Sequence, residues 1–200
     1  MTSIQHITLE VPGLAAAERF YSSAFDLGSL IALRQSDAPT SGFRGFHISL
    51  TVAQPSTVNT LIDSAVAAGA TTLKPVAKSL WGVGGVVQAP DGAIWKVATS
   101  AKKDTGPATR AFDSLVLLLG AEDIVASKKF YVDHGLTVDK SFGKTYVQFA
   151  TQKDTVGFGL YRRSALAKDA GVPEEGSGSH RIVIGGDAGA FTDPDGFPWE

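Results

Sequence analysis

The chain has 200 residues, 44% hydrophobic and 19% charged, with no cysteine and a formal net charge of −2. This composition supports one large or two small globular domains with a full apolar core. It excludes disulfide frameworks, thiolate nucleophiles and cysteine-bound zinc. No Lys/Arg cluster marks a nucleic-acid face, and no apolar run approaches the roughly eighteen residues of a membrane span. The opening "MTSIQHITLE" lacks the basic start and apolar run of a signal peptide. A cytoplasmic protein without nucleic-acid or membrane partners is expected.

The first strand is "SIQHITLEV". Successive strand residues face opposite sides of a sheet, so Ile7, Leu9 and Val11 oppose His6, Thr8 and Glu10. Leu14, Ala17, Phe20, Tyr21 and Ala24 then follow helical spacing, predicting a helix over 13–26 that Gly28 can end. After "SLIALRQS" and a Gly-rich turn, "FHISLTV" repeats the alternation, with Ile48, Leu50 and Val52 opposing His47, Ser49 and Thr51. Val58, Leu61, Ile62, Ala65 and Val66 form an amphipathic stripe, predicting a helix over 55–68 with Pro55 near its start and Gly69 near its end. Three strands follow: "TTLKPV", "GVGGVVQA" and "AIWKVATS". The glycines of "GVGGVV" suit strand curvature; they lack the strand-to-helix setting of a phosphate loop.

"SAKKDTGPATR" has no periodic apolar pattern and marks a boundary, giving a first module at 1–100, a linker at 101–110 and a second module at 111–200. In "FDSLVLLL", Asp113, Leu115, Leu117 and Leu119 share one face, and Phe112, Ser114, Val116 and Leu118 the other. Both faces are mostly apolar, as in a strand buried on both sides. Ile124, Ser127, Phe130 and Tyr131 predict a helix over 122–134, with Gly135 after it and His134 complementing the dipole at its end. "TVDKSF", "TYVQFAT" and "VGFGLYRR" read as strands. "SHRIVIGG" starts another unit, but no helix fits between His180 and Phe191. Each half carries a Phe-Tyr pair in its first helix and closes on Pro-Asp-Gly, a hairpin signal in which proline presets φ and glycine accepts positive φ. This self-similarity points to duplication of a strand–helix–strand–strand–strand unit, clipped over residues 4–46.

"HITLEV" with "AERFYSSAFDLG", then "FHISLTV", "WGVGGVVQAPDGAIWKV" and "FTDPDGFPWE" resemble the vicinal-oxygen-chelate superfamily. That group includes glyoxalase I, extradiol dioxygenases, fosfomycin-resistance thiol transferases and bleomycin-resistance proteins. The likeness is weakest over residues 162–178. It implies an α+β fold of tandem βαβββ units, with curled mixed or antiparallel sheets forming a cleft and helices outside. Metal-using members place a histidine or glutamine on the first strand, a histidine on the strand opening the second unit, and a glutamate after Pro-Asp-Gly. His6 and His47 match the first two positions, and Lys96 stands at the third. An ammonium has no lone pair for a metal and repels a cation, and two histidines usually need a carboxylate beside them. Glu10 shares the His6 face but lies about 13 Å along the strand, at ~3.3 Å per residue. In the second half Glu200 and His180 match, and either Asp113 or Val116 takes the first-strand position, so Asp113, His180 and Glu200 are the candidate ligands there.

The expected function is metal-free binding of a small, partly apolar molecule, in the manner of a sequestering or resistance protein. The site is expected in the first module, between strands 4–11 and 46–52 and the closing strand 93–99. There His6, Thr8, His47 and Ser49 offer hydrogen bonds, Trp81 a flat wall, and Lys96 a cation for an acidic or carbonyl group. A groove lined by Leu115, Leu117 or Leu119 is the competing site. The alternative function is a metal-dependent lyase, isomerase or dioxygenase holding a divalent ion with His6 and His47. A third reading is an inactive subunit that works by pairing with another chain, for example as a homodimer.

Overall fold

The computed structural model describes residues 2–200. The first half runs β1 (Ile4–Val11), α1 (Leu14–Ala24), β2 (Ile31–Gln35), β3 (Thr40–Gly42), β4 (Phe46–Thr51), α2 (Pro55–Ala67), β5 (Thr71–Ser79), β6 (Gly82–Gln88) and β7 (Ile94–Thr99). The second half continues with β8 (Ser114–Ala121), α3 (Ile124–Asp133), β9 (Val138–Phe142), β10 (Tyr146–Phe149) and β11 (Gly157–Arg162). It ends with α4 (Arg163–Ala170), β12 (Gly176–Gly178), β13 (Ile182–Gly186), β14 (Phe191–Thr192) and β15 (Pro198–Trp199).

The three expected helices form, and no helix separates His180 from Phe191. α2 and α3 end as their glycines suggest. Gly69 and Gly135 take positive φ, and Ala70 and Leu136 donate back to the carbonyls of Ala65 and Tyr131, satisfying groups the helix end leaves free. α1 ends differently. Phe25 leaves it in extended conformation and buries its ring against Trp95, 5.0 Å between centroids, so aromatic burial rather than Gly28 stops the helix. α4 was not anticipated. It places Leu166, Ala167 and Ala170 on one buried face and closes on left-handed Gly171.

An eight-stranded sheet has the order β5-β6-β7-β4-β8-β11-β10-β9, and a five-stranded sheet the order β14-β15-β13-β1-β2. β12 pairs with β3. Each large sheet therefore takes strands from both halves of the chain. β4 and β8 join antiparallel from Phe46↔Leu119 to Thr51↔Ser114, while β1 pairs with β13 on one edge and β2 on the other. The single cleft expected between β1, β4 and β7 is not built. Both edges of β1 and both edges of β4 are paired to other strands, and the two lie in separate sheets. Their apolar faces contribute to one common core, with Ile7, Leu9, Ile48 and Leu50 all buried in it. Their polar faces turn away from that core.

α1, α2 and α3 pack chiefly within their own halves, whereas α4 of the second half reaches β4 of the first. α1 packs on α2, and the Tyr21 hydroxyl donates to Asp91 in the first Pro-Asp-Gly turn at 2.6 Å. Tyr131 on α3 donates to Asp193 beside the second turn at 2.5 Å. Gly92 and Gly196 both take φ of 91°. The repeated Phe-Tyr and Pro-Asp-Gly motifs are thus one device, a helix tyrosine pinning a hairpin turn. Burial, reinforced by the neighbouring aspartate, pushes both phenols well above their ordinary pKa. Among the described residues no helix is long and apolar enough to cross a membrane.

Candidate functional site

In the eight-stranded sheet β4 and β7 run parallel with Ser49 opposite Lys96, so alternation puts His47, Ser49 and Lys96 on one face. α4 lies across this face, over β4, β8 and β11. Leu166, Ala167 and Ala170 are buried there against Phe43, Val86, Ile94 and Leu118. The helix delivers Asp169 to the polar strip. Its Oδ2 is 3.2 Å from Nε2 of His47, and its two oxygens are 2.8 and 2.7 Å from Nζ of Lys96.

His47 is fully buried. Burial holds its pKa below the ordinary value despite the Asp169 carboxylate, so the ring is neutral. A carboxylate only accepts hydrogen bonds, so Nε2 carries the hydrogen, and Nδ1 is a buried lone pair without a partner. Burial pushes the Asp169 carboxyl up, but the His47 hydrogen bond and the Lys96 charge outweigh it and hold the group well below the usual carboxylate range. The cluster is an Asp169–Lys96 ion pair propped by a neutral histidine. Lys74 fastens the same region from β5, donating to the carbonyl of Lys168 at 2.6 Å, where a cation complements the helix C-terminus.

Between α4 and the β5–β6 hairpin lies a cavity of about 420 Å³, lined by residues including Lys74, Lys78, Gly84, Val86, Lys96 and Asp169. Gly85 lets β5 come close: a Cβ there would lie 2.9 Å from Cγ2 of Val76. On the far side of α4, Tyr161, Tyr146 and Phe142 form a row across β11, β10 and β9, with centroids 4.7 and 6.1 Å apart. Burial, with smaller contributions from Tyr161 and Asp139, pushes the Tyr146 phenol up to about 12.

The remaining candidates lie elsewhere. His6 and Thr8 are on the five-stranded sheet, and the His6 ring lies over Gly185, where a Cβ would come within 2.2 Å of Cε1. Glu10 pairs with Arg34 at 3.1 Å, and Arg34 reaches on to Glu200 at 3.4 Å. Trp81 is 82% exposed at the tip of the β5–β6 hairpin and forms no wall of the cavity. His180 is tied to backbone, with Nδ1 2.6 Å from the Arg44 carbonyl and Nε2 3.1 Å from that of Asp195. Asp113 is exposed just before β8, where Val116 faces Ser49. Asp113, His180 and Glu200 do not converge, and among the described residues no three His, Asp or Glu groups are placed to hold a metal. Leu115, Leu117 and Leu119 are buried in the core, so the competing groove is filled by packing.

This donor set does not fit a divalent ion. The two strand histidines sit on separate sheets, and the carboxylate nearest His47 already holds an ammonium. Asp169, which completes the cluster, was missed from sequence. The signals that could have found α4 are Gly171 as a helix stop and Lys168 in the last turn.

No family model matches the sequence, and no curated protein matches it. Among solved structures the fold is similar to a V278E mutant of glyoxalase I from Zea mays, with a TM-score of 0.63 and 14% identity over 100% of this chain and 91% of that one. Glyoxalase I from Zea mays itself matches at a TM-score of 0.59 and 15% identity, over 93% of this chain and 75% of that one. A proposed dioxygenase from Bacillus subtilis matches at a TM-score of 0.55 and 13% identity, over 92% and 69%. The chain has a glyoxalase I-like fold, as its motifs implied. Likeness at this identity carries architecture, and chemistry has to be argued from the site.

Proposed function

We propose that the protein binds a small, partly apolar molecule in the cavity between α4 and the β5–β6 hairpin, without a metal, as a sequestering protein. The observation that carries this reading is Asp169, which α4 inserts against His47 and Lys96. A carboxylate from the chain itself fills the polar strip of β4 and β7, leaving the 420 Å³ space beside it. Val86 and the Gly84–Gly85 backbone offer an apolar surface, and a few converging polar groups set orientation, as small-molecule pockets generally do. Lys78 makes no ion pair among the described residues, and Lys96 shares its charge with Asp169. The ligand class is therefore a compact apolar body carrying one acidic or carbonyl group. His47 acts indirectly by orienting Asp169, and Ser49 pairs with Lys96 on the neighbouring strand without lining the cavity. His6 and Thr8 drop out of the site, and a metal shared by His6 and His47 is not proposed.

The test is a screen of aromatic and aliphatic carboxylate fragments against isotope-labelled, tag-free protein by chemical-shift mapping. Shifts gathered at the amides of Gly84, Gly85, Val86 and Lys96, and lost in Lys96→Ala, are the expected result. Shifts confined to β1, β13 and β15 would overturn the placement. A stoichiometric transition metal in the purified protein would overturn the metal-free reading.

A further inference from the structure

Leu80 and Trp81 form the tip of the β5–β6 hairpin, 77% and 82% exposed, whereas Trp95 and Trp199 are buried. Two adjacent large apolar side chains held this far into water point to a contact surface, since single scattered apolar residues are ordinary and a protruding pair is not. The tip is presented on an ordered turn. The Trp81 N–H donates to Oγ of Ser79 at 3.1 Å, and that hydroxyl donates to the Gly82 carbonyl at 3.3 Å. Gly82, at φ 129°, sits so close to β7 that a Cβ would lie 1.9 Å from the Thr99 carbonyl oxygen and 2.8 Å from Cα of Ser100. That approach fixes the tip against the end of β7 and brings the chain after Ser100 alongside it.

The surroundings are basic. Lys78 lies three residues before Trp81, and Lys102 and Lys103 follow Ser100; all three are exposed. Asp104, the one acidic residue of the same loop, is also exposed, but its carboxylate is engaged on the α2 side, accepting from the Ser56 N–H at 2.7 Å. Three exposed lysines thus stand against one exposed carboxylate, and Asp113 lies further off, just before β8, beyond β7 and β4 in the strand order.

We propose that this tip docks on an anionic lipid surface, with Leu80 and Trp81 entering the boundary between headgroups and acyl chains while Lys78, Lys102 and Lys103 face the phosphates. The charge complementarity selects this occupant. An apolar tip collared by lysines matches a surface that is apolar in depth and anionic at its rim, and tryptophan favours that boundary because its ring is apolar and its N–H polar. The sequence expectation of no membrane partner rested on the absence of a spanning segment, which peripheral docking does not need. The proposal shares Lys78 with the cavity lining and otherwise rests on residues outside it.

The molecule carries its own probe, because Trp81 is the one tryptophan in water. Tag-free full-length protein is titrated with vesicles of phosphatidylcholine alone, and with vesicles containing about 30 mol% phosphatidylserine. The expected result is a blue shift of tryptophan emission and co-sedimentation with the anionic vesicles only, both weakened by added salt. Lys102→Ala/Lys103→Ala should lower the partition coefficient about 30-fold, from the surface attraction of two lysines. Leu80→Ser/Trp81→Ser should abolish sedimentation with an unchanged melting temperature, since both side chains are exposed. Three results would each overturn the proposal: no shift on anionic vesicles, full binding by the Leu80→Ser/Trp81→Ser protein, or a concentration-dependent blue shift without vesicles. The last would assign the tip to a second copy of the chain.

Discussion

Replacing Asp169 by alanine or by asparagine separates the two interactions this side chain makes with the sheet, to His47 and to Lys96. In Asp169→Ala the fully buried His47 loses the acceptor for its Nε2 hydrogen, and an unsatisfied buried donor costs about 1–3 kcal/mol. The Asp169–Lys96 pair has side chains 38% and 29% exposed, so solvent screening limits its contribution to at most about 1 kcal/mol. Together the loss is about 1–4 kcal/mol, which for a chain of this length lowers the melting temperature by about 2–4 °C per kcal/mol. In Asp169→Asn the amide oxygen still accepts from His47, and only the charge opposite Lys96 disappears. That variant should lose under about 1 kcal/mol, or roughly 2–4 °C. Calorimetry with urea melts at pH 7.5 measures both. Equal losses for the two variants, or an alanine variant within about 0.5 kcal/mol of the parent, would refute the description of Asp169 as the acceptor for a neutral buried histidine.

Acid should destabilise the protein through His47: burial depresses its folded pKa, so the unfolded chain, titrating near ~6.5, takes up the proton first. Stability is complete above that value and falls as pH drops toward the folded pKa, and His47→Gln should flatten urea stability measured from pH 7.5 downward across this window. Tyr131→Phe should cost about 1.5–3 kcal/mol, because its bond to buried Asp193 is to a charged group. Tyr21→Phe, whose partner Asp91 is partly exposed, should cost clearly less by thermal melts, and a reversed order would count against turn pinning as a shared device. Lys96→Glu puts a second carboxylate beside Asp169 and His47, so it should take up a divalent ion that the parent does not, as elemental analysis of tag-free protein would show.

The local elements were legible because their signals are local. Alternation in "HITLEV" and "FHISLTV" assigns an apolar and a polar face to each strand, and those faces are the ones β1 and β4 use. Alternation does not name a neighbour, however. Two strands with the same pattern can lie side by side or in separate sheets, and only the pairing of their edges decides. β1 found β13 and β2, while β4 found β7 and β8. Consecutive units were therefore mistaken for the two walls of one cleft. α4 escaped for a different reason: in eight residues it buries only Leu166, Ala167 and Ala170, too short a stripe to establish a period.

Lys96 shows where sequence reasoning stops and packing takes over. A lysine on the polar strip of a sheet, later covered by a helix, is a partly buried cation, and such a charge requires a partner. That requirement can be read from "AIWKV" once the strand and its facing are known. The supplier cannot be read the same way, because Asp169 lies 73 positions further along the chain in the stretch with the weakest resemblance to the fold's motifs. Once Asp169 is placed, the roles of its neighbours follow from elementary chemistry. A carboxylate that accepts from both sides makes Lys96 a counter-ion and His47 a donor, and neither then offers a lone pair toward the cleft. The one unpaired lone pair, on Nδ1 of His47, is buried. The polar face of β4 and β7, expected from sequence to be the wall of a ligand site, is thereby the seat of a helix. The room left for a ligand is the space this helix does not cover, between Asp169, Lys96 and the arch of β5 and β6.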